Sequence, residues 1–429
     1  MKSHLIGIGG VGMSALAQAL LDIGEEVSGS DRLVDGGDAT PNLARLRAQG
    51  VAIFLQDGSG VRSGAGRVIM STAIEDDNPD LAAARELGIP IAHRADALAA
   101  AFAGRRQLAI AGTCGKSSVT AMTGWLMAEA GLDPMVVNGA GVVGWESDSR
   151  VGSTRKGAGG WAVFEADESD RSLMAFDPSA AVITNASADH FPLAETEALF
   201  ARFRAGVRGP VIDGTGEAPQ DVALEGWSGS FTWRGRRFTV NLPGAHNVQN
   251  AWMALRAAEA CGADIDCLAT ALASFRGIER RLERIGVARG VTVVDDYAHN
   301  PAKLSAAWHA LAAAFPRVAA LWRPHGYAPL RKLKDDLADA FAAVMRPADT
   351  LVLLPVYDAG GTTDRSINSG ALADAMAARG AKAILVSTAT EAEDALIAAA
   401  APGTVVATMG ARDPDLPRMA RRILRRLGE

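Results

Sequence analysis

Cysteine is scarce in this chain: Cys114, Cys261 and Cys267 are the only three in 429 residues. They cannot all pair and they lack metal-site spacing, which excludes a disulfide scaffold and favours a reducing compartment. An excess of positive charge is also missing. Forty-three Lys and Arg face 49 Asp and Glu, for a net charge of −6 and a pI near 5.7. That argues against a dedicated nucleic-acid binder. No stretch reaches the roughly 18 consecutive apolar residues of a membrane helix. The opening MKSHLIGIGG passes straight into a strand and a glycine turn, so no signal peptide is expected. What remains is 48% hydrophobic and 21% charged, with 46 Gly, 18 Pro and only 5% aromatic residues. This is close to an average soluble globular chain, long enough for about two to four domains. The expectation is a cytoplasmic enzyme, a monomer or homodimer, without a nucleic-acid or membrane partner.

Strand-like runs alternate with alanine-rich amphipathic stretches almost throughout, the pattern of parallel α/β domains. Three blocks follow, 1–104, 105–278 and 279–429. The first has strands near Leu5, at Glu26 to Ser30, Arg67 to Met70 and Ile89 to Ala92. The second opens with Leu108 to Ala111 and continues through Trp161 to Glu165 and Ala180 to Thr184. A β-like interval from Phe231 to Val240 and a helix from about Val248 to Cys261 close it. The third has strands at Val291 to Val294, Val318 to Trp322, Thr350 to Leu354, Ala383 to Val386 and Thr404 to Thr408.

Two glycine turns carry chemistry. Gly7-Ile8-Gly9-Gly10-Val11-Gly12 follows a strand and opens a helix, and Asp31 closes the next strand, where a ribose-binding acid belongs. Its backbone can approach a diphosphate at a helix N-terminus. A tight turn packed without ligand is the alternative, and the motif does not say which nucleotide binds. Gly112-Thr113-Cys114-Gly115-Lys116-Ser117 is a shortened phosphate loop, with Ile110 where the longer form has glycine. Its amides suit phosphates, Lys116 supplies a cation and Ser117 a hydroxyl for Mg²⁺. Glu165-Ala166-Asp167-Glu168-Ser169-Asp170 and Asp189-His190 end later strands of the same block, where ligands bind in open α/β sheets. The carboxylates suit Mg²⁺, and His190 is a less usual ligand or a phosphate positioner. Gly244-Ala245-His246-Asn247 with Asn250 leads a helix, as an adenine site or as caps. Asp295-Asp296-Tyr297-Ala298-His299-Asn300-Pro301 and Arg323-Pro324-His325 place two of the seven histidines at strand ends of the third block, which favours a ligand-facing site.

Taken in order, these residues resemble the Mur ligase family of ATP-dependent amide-forming enzymes over nearly the whole chain. GIGGVGMSALAQAL, Ser71-Thr72-Ala73-Ile74, GTCGKSS, Val137-Asn138-Gly139, EADESD, TNASADH and DDYAHNP carry the likeness. The resemblance implies a Rossmann-like N-terminal domain, a central P-loop ATPase-like domain and a C-terminal Rossmann-like domain. These would bind a UDP-sugar, ATP and the incoming amino acid respectively. It implies an enzyme that joins L-alanine, or another amino acid or a peptide, to a UDP-N-acetylmuramate-type carboxylate through an acyl phosphate, in peptidoglycan precursor synthesis or recycling. By the same likeness Lys116, Glu165, His190 and Arg281 are catalytic. Gly112, Thr113, Cys114, Gly115, Lys116, Ser117, Ser118, His246, Asn247, Asn250 and Asp295 bind ATP, while Ser117, Glu165 and His190 hold Mg²⁺. Gly9, Gly10, Val11, Gly12, Asp31, Ser71, His299, His325 and Arg331 bind the substrates.

The chain departs from the family in the glycine loop and on the acceptor side. Cys114 stands where histidine is usual, and Ser117-Ser118 where Thr-Thr is usual. Gly326 and Pro329 replace two arginines of a basic stretch, and Lys303 replaces an acid. No lysine occurs between Lys156 and Lys303, so the carbamylated lysine of several family branches is missing. Two other readings stay open: a ligase-like nucleotide-binding protein with an altered acceptor or lost catalysis, and a dehydrogenase using the first glycine turn, which leaves the phosphate loop unexplained.

Overall fold

The computed structural model describes residues 2–35, 40–187, 191–216, 218–358 and 363–429. Five parallel strands form the first sheet: β1 (Lys2–Ile6), β2 (Glu26–Ser30), β3 (Ala52–Phe54), β4 (Arg67–Met70) and β5 (Ile91–His93), in the order β3-β2-β1-β4-β5. The central strand is covered on both faces; Leu5 and Ile6 have no exposed surface. Such burial is what makes parallel strands read as short apolar runs. The order reverses beside β1, where β2 lies on one side and β4 on the other. A crevice opens at the carboxyl ends of strands at such a switch point. Helices Pro41–Ala48 and Pro79–Glu86 each begin with proline, behind the N-caps Thr40 and Asn78. A missing amide costs nothing at that position.

The second sheet contains β6 (Arg106–Ala111), β7 (Met135–Val137), β8 (Thr154–Arg155), β9 (Trp161–Glu165), β10 (Ala180–Ile183) and β11 (Val211–Asp213), ordered β11-β10-β6-β9-β7-β8. All pairings are parallel except β7 with β8. Residue 104 separates the two sheets, yet one apolar core runs under both, from Leu5, Leu16 and Leu20 to Ala109, Phe164 and Phe200. Arg150 seals it with a two-pronged ion pair to Asp22, at 2.8 and 2.7 Å. Such planar forks add orientation as well as attraction.

Three short strands, β12 (Gln220–Glu225), β13 (Ser228–Trp233) and β14 (Arg236–Val240), form a separate small sheet. The last sheet contains β15 (Glu283–Ala288), β16 (Val291–Asp296), β17 (Arg317–Trp322), β18 (Thr350–Leu353), β19 (Ile384–Leu385) and β20 (Thr404–Met409), in the order β15-β16-β20-β17-β18-β19. Only β15 is antiparallel, and its register shifts between Arg284 and Gly286. Helices Pro301–Ala314 and Tyr327–Val344 cover one face with Trp308 and Phe341. Helices Ala389–Ala399 and Leu416–Gly428 cover the other with Leu396 and Ile423.

By compactness the chain divides into residues 1–221, 231–240 and 246–276 as one unit, and 222–230, 241–245 and 277–429 as the other. Among the described residues no helix is long and apolar enough to cross a membrane. The strands expected from the sequence all occur, several displaced or resized by one or two residues. β3, β7, β8, β11, β12 and β15 were not foreseen. Most lie at sheet edges or span two or three residues, where one-sided burial or brevity leaves no apolar run to read.

Candidate active site

The phosphate loop joins β6 to helix Lys116–Glu129. Gly115 takes the left-handed conformation, φ +86°, and a Cβ there would come within 2.7 Å of Asn250 Oδ1. Glycine therefore serves both the turn and the close approach of Asn250. Asn185 fixes the loop's tip: its side chain accepts from the Cys114 amide and donates to the Cys114 carbonyl, both at 2.9 Å. Cys114 itself is exposed. Lys116 Nζ donates to the Gly112 carbonyl at 2.7 Å and to Glu168 Oε2 at 2.6 Å, with Asp167 3.9 Å away. Burial works against its charge, but the carboxylates of Glu168, Glu165 and Asp167 outweigh that and hold the ammonium above its ordinary pKa. Ser117 Oγ donates to Glu165 Oε2 at 2.9 Å, and the Gly139 amide donates to the same oxygen at 3.0 Å. A hydroxyl and a carboxylate side by side are hard oxygen donors that fit Mg²⁺, which takes few protein ligands beside waters and phosphates. Among the described residues no group of three or more His, Cys, Asp or Glu is arranged to hold a metal. His190 lies outside the described residues.

A cavity of about 460 Å³ runs from the first sheet to Glu165, the carboxylate that accepts from Ser117 of the phosphate loop. Gly10, Val11, Gly12 and Ser71 line one end, at the switch point; Asn138, Gly139, Glu165 and Asp167 line the other. The first glycine turn and the strand-end acids Glu165 and Asp167 therefore address one space, and the phosphate loop adjoins it through Glu165. Gly9 and Asp31 do not line it. Asp31 is buried and accepts from the Gly9 amide at 2.7 Å and the Leu33 amide at 3.0 Å, so it shapes the glycine turn.

Sequence reasoning missed Arg94, which lines the same cavity. A Cβ on Gly12 would lie 2.9 Å from its Nη1, so the guanidinium rests over the glycine turn. A signal existed: Arg94 opens helix Arg94–Ala101, where a cation opposes the helix dipole and earns nothing for the helix itself. Asn138 is 2% exposed and its Oδ1 has no hydrogen-bond partner among the described residues.

The polar residues that lead helix Ala245–Ala260 divide. Asn247 and Asn250 are both buried, and Asn250 packs under the phosphate loop. His246 is exposed in the first turn of helix Ala245–Ala260.

In the last sheet, His299 and His325 meet edge to face, ring centroids 5.0 Å apart, and Tyr297 packs against His299 at 5.4 Å. Burial, then the charges of His299, Arg412 and Lys303, push His325 down to about 4. Asp295 is fully buried with both oxygens engaged, by Thr408 Oγ1 at 2.6 Å and Arg280 Nε at 3.0 Å. It anchors Arg280, which also donates to the carbonyls of Gly410 and Ala411. Arg281 is exposed, 5.9 Å from the Tyr297 ring centre. Arg331 is tied to Asp364 at 2.8 Å and to Ser366 Oγ at 3.2 Å.

Comparison with known proteins gives the family. Residues 2–106 match the family model described as Mur ligase family, catalytic domain, and residues 280–412 match Mur ligase, glutamate ligase domain. UDP-N-acetylmuramate–L-alanine ligase of Sinorhizobium fredii is 33% identical, over 95% of this chain and 94% of that protein. The same-named protein of Desulfatibacillum aliphaticivorans is 34% identical, over 96% and 95%. Among solved structures, UDP-N-acetylmuramate-alanine ligase from Thermotoga maritima superposes with a TM-score of 0.82 at 25% identity, covering 99% of both chains. A murein peptide ligase from Psychrobacter arcticus, 21% identical with a TM-score of 0.65 over 100% of this chain and 99% of its own, shares the fold.

Proposed function

We propose, from the premise that the chain belongs to the Mur ligase family of ATP-dependent ligases, that it joins an amino acid to the carboxylate of UDP-N-acetylmuramate, using Mg²⁺. L-Alanine is the acceptor in the names of its relatives. The observation that carries the reading is the single cavity running from the first glycine turn and Ser71 to Glu165 beside the phosphate loop. A nucleotide-sugar held at the switch point, by the Val11 and Gly12 amides and Arg94, would extend its carboxylate toward the phosphoryl site.

The carboxylate oxygen attacks the γ-phosphorus of ATP, forming an O–P bond as the bond to the ADP oxygen breaks. The amine then attacks the acyl carbon; phosphate leaves with that carboxylate oxygen, and the nitrogen gives up a proton. Lys116 is kept charged by its acidic neighbours and exchanges them for phosphate oxygens, countering charge that develops on the transferred group. Ser117 and Glu165 would hold Mg²⁺, which neutralises phosphate charge when bound. Asn250 and Asn185 keep the loop's backbone in place.

One observation favours a second reading of the acceptor. Arg331 is bound to Asp364 and does not replace the arginines missing at 326 and 329, so an amine other than L-alanine fits that reading. Phosphate release measured with ATP, UDP-N-acetylmuramate and a panel of amino acids, without nicotinamide, decides. Release that needs both sugar and L-alanine supports the main reading; release with another amine alone supports the second. Turnover without the sugar overturns both.

A further inference from the structure

The carboxyl ends of β16, β20 and β17 lie side by side, because Asp296 pairs with Met409 and Met409 with Trp322. The chain beyond them diverges. After β16 and β17 it enters helices on one face of the sheet, and after β20 a helix on the other. Adjacent parallel strands with connections on opposite faces leave a crevice at their ends. Tyr297 to Asn300, Gly410 to Arg412 and Arg323 to Gly326 border it.

The cations at this end fall into two sets. Arg280 is bound to Asp295, Arg323 to Asp413 and Arg331 to Asp364. The side chains of Lys303 and Arg412 make no hydrogen bond or ion pair among the described residues, where Lys303 bonds only through its backbone amide to Asn300, and both act electrostatically on His325. Lys303 sits in the first turn of helix Pro301–Ala314, where a cation is unfavourable for the helix. Arg281, the other exposed arginine nearby, rests against Tyr297. Two cations without acids, beside a paired His299 and His325, form a receptive site for an anion.

We infer that Lys303 and Arg412 clamp the carboxylate of the incoming amino acid, in place of the arginines missing at 326 and 329. The inference rests on the proposed ligase reading and deepens it: the acceptor is an amine bearing a free carboxylate, and its amide is rejected. Lys303 and Arg412 are specificity-determining residues and take no part in bond making.

The test reads binding without turnover. The full chain, saturated with a non-hydrolysable ATP analogue and UDP-N-acetylmuramate, is titrated with L-alanine and with L-alaninamide. The wild type is expected to prefer the acid by about tenfold or more, the effect of losing a charge-assisted hydrogen bond. Lys303→Gln/Arg412→Gln is expected to lose that preference while keeping its nucleotide and sugar affinities. The charge-keeping Lys303→Arg and Arg412→Lys variants are expected to retain it. Equal binding of acid and amide by the wild type, binding of neither, or a preference unchanged in the double variant overturns the clamp. Failure of ligation alone, with the acid preference intact, bears on the proposed function instead.

Discussion

The phosphate loop and the carboxyl ends of the last sheet handle positive charge in opposite ways. At the loop, Lys116 is surrounded by Glu168, Asp167 and Glu165, and its ammonium is held charged. At the last sheet, Lys303 and Arg412 stand without acids, and the neutral form of His325 is favoured by burial and by those cations. The first arrangement is prepaid: on the proposed reading, a polyphosphate with its Mg²⁺ would enter by exchanging partners, with little reorganisation. The second is a standing electrostatic deficit that an anionic substrate relieves. Buried pre-paired sites suit phosphoryl transfer, and open cationic sites suit recognition.

The contrast breaks first at Lys116. Lys116→Ala removes the one cation that the loop aims at phosphate, and a loss of at least about 10² in phosphate release is expected, with the fold intact by circular dichroism. More than a tenth of wild-type release in a folded variant would refute the assignment. Glu165→Ala, assayed across a Mg²⁺ titration, is expected to raise the metal requirement or remove activity, because it removes the carboxylate paired with the Ser117 hydroxyl. Full activity of the wild type in excess EDTA would contradict the metal role. Arg94→Ala is expected to raise the KM for the UDP-sugar about tenfold, the effect of losing one charge-assisted contact, with the KM for ATP little changed. An unchanged sugar KM would remove Arg94 from the site.

The smallest effect is on stability. The pKa of His325 is about 4 in the folded protein, against an ordinary 6.5. Between those values the unfolded chain binds more protons, so stability falls as pH drops from about 6.5 toward 4. His325→Gln removes this contribution, and its melting temperature should fall less than that of the wild type across that window. Parallel melting curves for the two proteins would contradict the shift.

Much of this contrast was legible in the sequence, for identifiable reasons. The glycine turns, Lys116, Ser117 and Glu165 are read from residue types at fixed offsets from apolar strands, and the structure sets Lys116 and Ser117 on one loop beside Glu165, which lines one cavity with the first glycine turn. Asp295 and Asp31 looked alike from sequence, as acids at strand ends, but both turn inward: one anchors Arg280, the other the Gly9 amide. Whether an acid faces ligand or backbone depends on partners distant in sequence. Arg94 and Arg412 were missed for the same reason, since their neighbours arrive from other strands. The edge strand β15 reads as an irregular mixture because only part of it is covered.

The central claim is that one cavity delivers a sugar carboxylate to the phosphoryl group of ATP. Ligation of UDP-N-acetylmuramate labelled with ¹⁸O in its carboxylate tests it most directly, with the released phosphate read by mass spectrometry. The account predicts that one ¹⁸O passes into inorganic phosphate for each amide formed. Amide formation with unlabelled phosphate would contradict it.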